Sequence, residues 1–314
     1  MLVSRFLSGA NMGVQVDCVA TLPSSHQIES TANNPFLGAK ALVVEGGAMR
    51  GIFSAGVLDS FLQFGFSPYN VCLGVSAGST NLAAWLAGQQ GRNYRVITDY
   101  SCRPEFISLT NYLRGKHYID LDWLWQITIN EIRLDLNTFS KQTVPLYVVT
   151  TDIQTGEANY VLANAGNLEQ LLKASCAVPL AYRSFPELDG KGKTDGGVAD
   201  SIPVIKAYEM GARDITVVLS KAVGFRKKPS SMPWLIDRLF AQYPALQSQL
   251  KSRYQRYNQA LEFIQNPPAD CRIRIIAPPS EFSVGRTTRD DRKLRAGYSM
   301  GRKAGSDFIH QFSV

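Results

Sequence analysis

Gly74-Val75-Ser76-Ala77-Gly78 stands where the apolar strand pattern of residues 71–75 turns into the helical pattern of 77–87. A serine on such a tight strand-to-helix turn is placed to attack an acyl carbon. Gly74 and Gly78 leave room for the bend, and the helix start behind Ser76 offers free N–H groups and a positive dipole end that favour alkoxide character. One strand-helix unit earlier comes Glu45-Gly46-Gly47-Ala48-Met49-Arg50-Gly51. Gly46 and Gly47 free the backbone to aim N–H groups at an anion, as an oxyanion hole or a phosphate cradle requires. A dinucleotide fingerprint is excluded, because it needs glycine where Ala48 stands. Arg50, a cation in the first turn of a helix, opposes the helix dipole by ~0.3–1 kcal/mol. That cost predicts a specific partner for it, either loop carbonyls or an anionic substrate group.

A serine nucleophile needs a group to take its proton, and the chain has only three histidines. His26 and His117 precede any acid of the usual Ser-Asp-His order, which leaves His310, close to the C-terminus, as the one histidine for such a triad. The stronger expectation is Asp195, in Lys193-Thr194-Asp195-Gly196-Gly197. It ends a strand of the parallel-sheet pattern and precedes a helix beginning near Pro203, so it is expected to emerge on the same sheet edge as Ser76. A solvated aspartate, with a pKa of ~3.9, is a poor base. Partial burial and a short contact with the serine hydroxyl would remedy that.

The elements that must hold these residues alternate strand and helix. KALVVE (40–45) reads as a buried strand, 50–65 as a helix stopped by Gly65, 71–75 as a second strand and 77–87 as its helix. Fully apolar strands joined by helices predict a three-layer α/β/α fold with a mostly parallel central sheet. Residues 103–143 break the alternation and form an insertion that walls or covers a pocket, or packs as a peripheral helix. Residues 144–162 read as a hairpin turned at Gly156, 167–177 as a helix ending before Pro179, and 188–197 as another tight hairpin. A buried strand is expected at 214–220 and a late or edge strand at 271–279. Leu250, Tyr254, Tyr257, Leu261 and Ile264 share one helix face, so the Arg/Tyr mixture around them reads as core, and no nucleic-acid partner is expected. A basic helix closes the chain from Arg289 onward.

The 314 residues divide on this reading into a leader (1–38), a catalytic core (39–220) and a basic, mainly helical C-terminal region packed on the core (221–314). The first forty residues have no sustained apolar block, so neither a signal peptide nor an anchor is expected. Five widely spaced cysteines without CxxC spacing predict reduced thiols in a cytoplasmic protein. No calcium loop, HExxH pattern or Cys/His cluster is present, so neither metal nor cofactor is expected. The net charge of +7 is concentrated late: residues 221–314 hold 17 Lys and Arg against 7 Asp and Glu. Such a face suits peripheral contact with an anionic membrane surface.

Four blocks in order give the chain its resemblance to the patatin-like phospholipase family: Gly46 to Gly51, Gly74 to Gly78, Ala174-Ser175-Cys176-Ala177-Val178-Pro179, and Asp195-Gly196-Gly197. The resemblance covers roughly residues 40–220. It implies a metal-free lipid acyl hydrolase that cleaves fatty acyl esters through an acyl-serine intermediate, with Ser76 as nucleophile and Asp195 as general base. Backbone N–H groups around Gly46, Gly47 and Ala48 would form the oxyanion hole, and Arg50 would hold that loop in shape. Gly51, Gly74, Gly78, Gly196 and Gly197 would support the motifs. Family members often carry a third glycine where this chain has Ala48, and alanine serves there on condition that the loop avoids positive φ. Two rivals remain open at this stage: a His310-dependent esterase and a non-catalytic lipid-binding protein on the same fold.

Overall fold

The computed structural model describes residues 34–312. Most of the leader expected over 1–38 therefore lies outside the described residues. Residues Pro35–Val314 form one compact unit.

Eight strands occur in it: β1 (Lys40–Val44), β2 (Val71–Val75), β3 (Leu146–Asp152), β4 (Ala158–Leu162), β5 (Glu187–Leu188), β6 (Lys191–Asp195), β7 (Asp214–Val218) and β8 (Arg272–Ile276). Five are parallel, in the order β8-β7-β1-β2-β3, while β4 and β6 both run antiparallel to β3. The helices are α1 (Gly51–Gln63), α2 (Ala77–Leu86), α3 (Arg92–Arg95), α4 (Leu109–Leu113), α5 (Leu121–Glu131), α6 (Leu136–Ser140), α7 (Leu168–Cys176), α8 (Val204–Glu209), α9 (Pro233–Leu239), α10 (Pro244–Gln265) and α11 (Asp291–Phe312). Alternation along β1 shows how the layers form. Leu42 and Val44 face one way, into a core with Phe53 and Phe61 of α1, Leu82 of α2 and Leu171 of α7. Ala41 and Val43 face the other way, into a core with Ala207 of α8 and Tyr257 and Leu261 of α10. The expected three-layer α/β/α fold with a mostly parallel central sheet is thus what the chain adopts, with β8 at one edge as foreseen.

One expectation about the sheet needs correction. Asp195 ends an antiparallel strand, not a parallel one. β4 pairs with Tyr147–Thr151 of β3, whereas β2 pairs with 146–149 and β6 with 150–152. Since β4 overlaps both in register, it occupies one edge of β3, and β2 and β6 must share the other. They approach each other head-on along it. Val75 lies opposite Val149 and Asp195 opposite Thr150, so the two C-terminal ends meet. The sequence pattern could not foresee this, because β6 (KGKTD) is too short and polar to declare its direction.

The closing helix docks through glycines. Gly297, Gly301 and Gly305 recur every four residues along one face of α11. A Cβ on Gly301 would stand 2.1 Å from the Phe53 carbonyl oxygen of α1, and one on Gly56 of α1 would stand 2.3 Å from the Tyr298 carbonyl oxygen. The backbones of α1 and α11 thus touch directly, which seals one face of the sheet.

Candidate active site

Ser76 follows the last residue of β2 and caps α2 with φ 52° and ψ −126°. A left-handed φ is costly for a side-chain-bearing residue, of order 1 kcal/mol or more, so the turn must be held from outside. The Ser76 N–H donates to Ser175 Oγ at 2.8 Å, and the Ser175 hydroxyl donates to the Val149 carbonyl at 2.6 Å. One hydroxyl at the end of α7 therefore ties the elbow to β3. The flanking glycines are required by contact: a Cβ on Gly74 would lie 2.7 Å from Ser79 Cα, and one on Gly78 2.4 Å from the Val44 carbonyl oxygen. Gly46 lets the loop after β1 close on the elbow, since its Cβ would lie 2.8 Å from the Val75 carbonyl oxygen.

Asp195 and Ser76 are both buried, at 4% and 6% exposure, and the Ser76 hydroxyl lies close enough to the Asp195 carboxyl to lower its proton affinity. The Gly197 N–H donates to Asp195 Oδ1 at 2.7 Å, which aims the carboxylate, and the Asp195 N–H donates to the Ala177 carbonyl at 2.9 Å, which anchors its backbone. Gly196 is packed so closely on β3 that a Cβ would stand 2.1 Å from the Val149 carbonyl oxygen. Burial pushes the Asp195 carboxyl above the usual carboxylate range, opposed by the nearby Arg253 guanidinium, the adjacent Ser76 hydroxyl and the Gly197 N–H. A carboxylate so placed is a stronger proton acceptor than a solvated one. The Cys176 thiol lies near Ser76 too, but burial pushes it upward, so it stays protonated and is no rival base.

The glycine loop carries a second correction. Ala48 has φ +50°, so the loop does not avoid the left-handed region. The strain is tolerated because the loop is anchored beneath. Arg50 Nε and Nη2 both donate to Ser220 Oγ, at 3.2 and 3.0 Å, and Nη2 lies 3.8 Å from Glu45 Oε1. Glu45 in turn accepts from the Ser220 N–H at 2.7 Å and from the Tyr257 hydroxyl at 3.1 Å. Arg50 therefore has the specific partner that its unfavourable helix position called for, and its side chain braces the loop. The Met49 and Arg50 N–H groups are used internally, by the Arg286 and Gly47 carbonyls. Those of Gly46, Gly47 and Ala48 donate to nothing among the described residues. Gly51 completes the fit against α2, its Cβ position lying 2.9 Å from Ala77 Cβ.

Ser76 opens onto a cavity of about 1030 Å³, part of it open to solvent, whose walls are chiefly apolar. Phe106, Ile107, Ile119, Leu124 and Trp125 come from the insertion, which thus walls the pocket. Of the histidines, His117 stacks on Tyr182 and lies 3.6 Å from Asp122. His310 is exposed and packs against Phe64, just past the far end of α1. Since α1 starts at the glycine loop and runs thirteen residues, His310 lies roughly 20 Å from Ser76. His26 lies outside the described residues. No group of three or more His, Cys, Asp or Glu able to hold a metal ion occurs among the described residues.

Sequence reasoning named the serine, the aspartate and the loop but missed Ser175, Glu45, Ser220 and Arg253. Ser175 sits in the recognised Ala174–Pro179 block, and Glu45 and Ser220 end the β1 and β7 patterns, so their positions were the available signal. Arg253 gave none beyond its place in a helix.

Fold and elbow together define a three-layer α/β protein built around a serine-bearing strand-to-helix turn. Residues 42–208 match the family described as patatin-like phospholipase, and residues 243–313 match a domain of unknown function (DUF6363). The chain belongs to the patatin-like phospholipase family, a family of lipid acyl hydrolases. It is 34% identical over 287 residues to the uncharacterized protein YjjU of Escherichia coli (strain K12), a match that covers 87% of this chain and 77% of YjjU. Among solved structures, VipD from Legionella pneumophila aligns over 86% of this chain and 67% of its own at 13% identity, with a TM-score of 0.39.

Proposed function

We propose that this protein hydrolyses fatty acyl esters of lipids by a serine-aspartate dyad. The Ser76 oxygen attacks the ester carbonyl while its proton passes to Asp195. The tetrahedral oxyanion is met by the free N–H groups of Gly46, Gly47 and Ala48. Collapse expels the alcohol, which takes the proton back from Asp195 and leaves an acyl-serine. Water, deprotonated by Asp195, then releases the fatty acid. The observation that carries this reading is the meeting of buried Ser76 and Asp195 where the ends of β2 and β6 abut, with Ser76 lining an apolar cavity. In this reading residues 39–220 perform the chemistry and 221–314 supply charge around it, including contact with anionic membrane surfaces. The His310 triad is disfavoured by its distance.

A fluorophosphonate probe tests the reading. It should label the wild type and His310→Ala but not Ser76→Ala, and Ser76→Ala should lose turnover of a short-chain lipid ester. Labelling that survives in Ser76→Ala, or that vanishes in His310→Ala, would sink the dyad.

A further inference from the structure

A cluster of cations lies near Asp195 and reaches the Ser76 end of the acyl cavity through Arg286. Arg253 of α10 is close enough to Asp195 to lower its proton affinity, and Arg253, Arg286 and Lys227 feel one another's charge. None of their side chains makes a hydrogen bond or ion pair within the described residues. Arg253 Nε is buried with no partner at all. Its neighbour one turn along, Arg256, shows what a satisfied arginine looks like in the same helix, since it donates to the carbonyls of Ala199 and Val198 at 2.8 and 2.9 Å. Lys227 is deliberately positioned: its N–H donates to Asn258 Oδ1 at 2.8 Å, its carbonyl accepts from Asn258 Nδ2 at 3.0 Å, and its ammonium lies 4.1 Å from the Tyr257 ring centroid. Arg286 is exposed and lines the Ser76 end of the cavity beside Ala48 and Met49.

Asp195 and Glu45 offset only part of the charge of these three cations and Arg50, an imbalance that is unfavourable unless something anionic visits them. Burial, reinforced by Arg253, Arg286 and Arg50 and opposed by Glu45, pushes the Lys227 ammonium down to about 6. Arg50 is not free to join, being committed to Ser220 and Glu45. Three cations on separate segments suit a tetrahedral group with several oxygens and up to two negative charges better than a planar carboxylate.

We propose that Arg253, Arg286 and Lys227 form a subsite for a phosphate-bearing group, placed so that the phosphate of a bound lipid headgroup sits beside the ester held at Ser76. The subsite rests on the dyad reading for its position relative to the scissile bond, but not for its ability to bind phosphate. It gives the C-terminal region a role in substrate choice, since Arg253 and Arg286 both belong to the 243–313 segment.

Binding and turnover test it separately. Ser76→Ala protein titrated calorimetrically with glycerol 3-phosphate should bind it and take up a proton near neutral pH as Lys227 recharges. Arg286→Gln, an exposed change that should leave folding intact, and Lys227→Met should each weaken that binding about tenfold or more. With active enzyme, kcat/KM for dihexanoylphosphatidate over that for dihexanoylglycerol should favour the phosphate-bearing ester, and Arg253→Gln and Arg286→Gln should cut that ratio about tenfold or more. Inorganic phosphate should compete with dihexanoylphosphatidate. If it instead accelerates hydrolysis of the neutral ester, the site serves free phosphate and the headgroup assignment falls. Absence of glycerol 3-phosphate binding, or equal binding by Arg286→Gln, overturns the subsite outright. Phosphate binding without turnover of either ester would sink the hydrolase reading and leave the subsite standing, whereas turnover of both esters without phosphate binding would do the reverse.

Discussion

An aspartate becomes a useful base only when water is kept from it and a hydrogen bond aims it. Asp195 meets both conditions, and the direction of its shift fixes two outcomes. The folded protein holds the Asp195 proton more tightly than the unfolded chain does, because burial raises its pKa. Its contribution to stability is therefore present in acid and lost as pH rises through the folded pKa. Asp195→Asn should thus melt no lower than wild type at neutral pH, while losing about 10²–10⁴-fold in kcat. In the wild type, kcat should fall on the acid side of a midpoint above the ordinary carboxylate value of ~3.9. A midpoint at or below that value would remove Asp195 from the role of base. At this scale the sequence was most informative where chemistry restricts residue type, as at Ser76, Asp195 and the glycines. It was silent on the Glu45–Ser220 bond, whose partners are 175 residues apart and meet only once β1 and β7 pair. The condition it set on Ala48 fails, since the backbone there is left-handed, whereas the brace it expected from Arg50 is present.

Elements were legible in proportion to how strongly burial imposed a period on them. The apolar β1, β2 and β7 and the helices α1 and α10 could be read directly, since each turns a continuous or one-sided apolar pattern to a core. The direction of β6 could not, and the glycine repeat of α11 is a contact surface only because α1 lies against it, which no local pattern states. That contact yields a stability prediction. In Gly301→Ala the new Cβ meets the Phe53 carbonyl oxygen, and the helices must part, so urea denaturation should register a loss of about 1–3 kcal/mol. Lys303→Ala, two residues away on the exposed side of α11, should stay within about 0.5 kcal/mol of wild type. Equal effects would mean that the α1–α11 interface yields without cost.

For the whole molecule, charge and apolar exposure are the properties another surface would meet. No helix among the described residues is long and apolar enough to cross a membrane. Met232, Trp234 and Leu239 on and beside α9 are nonetheless exposed, on the basic C-terminal region. Co-sedimentation at low salt should therefore favour anionic over neutral vesicles, and the difference should shrink as salt rises toward ~0.15 M and the Debye length falls to ~8 Å. Equal binding to both vesicle types would dismiss electrostatic recruitment. A different consequence follows from the way β2 and β6 abut along one edge of β3. That strand acts as a ruler: it sets the spacing of Ser76 and Asp195, whatever the insertion at residues 103–143 happens to build. Pocket walls drawn from that long excursion could be recut by insertion, deletion or grafting without detuning the chemistry, so descendants of this scaffold are free to change diet while keeping the same teeth.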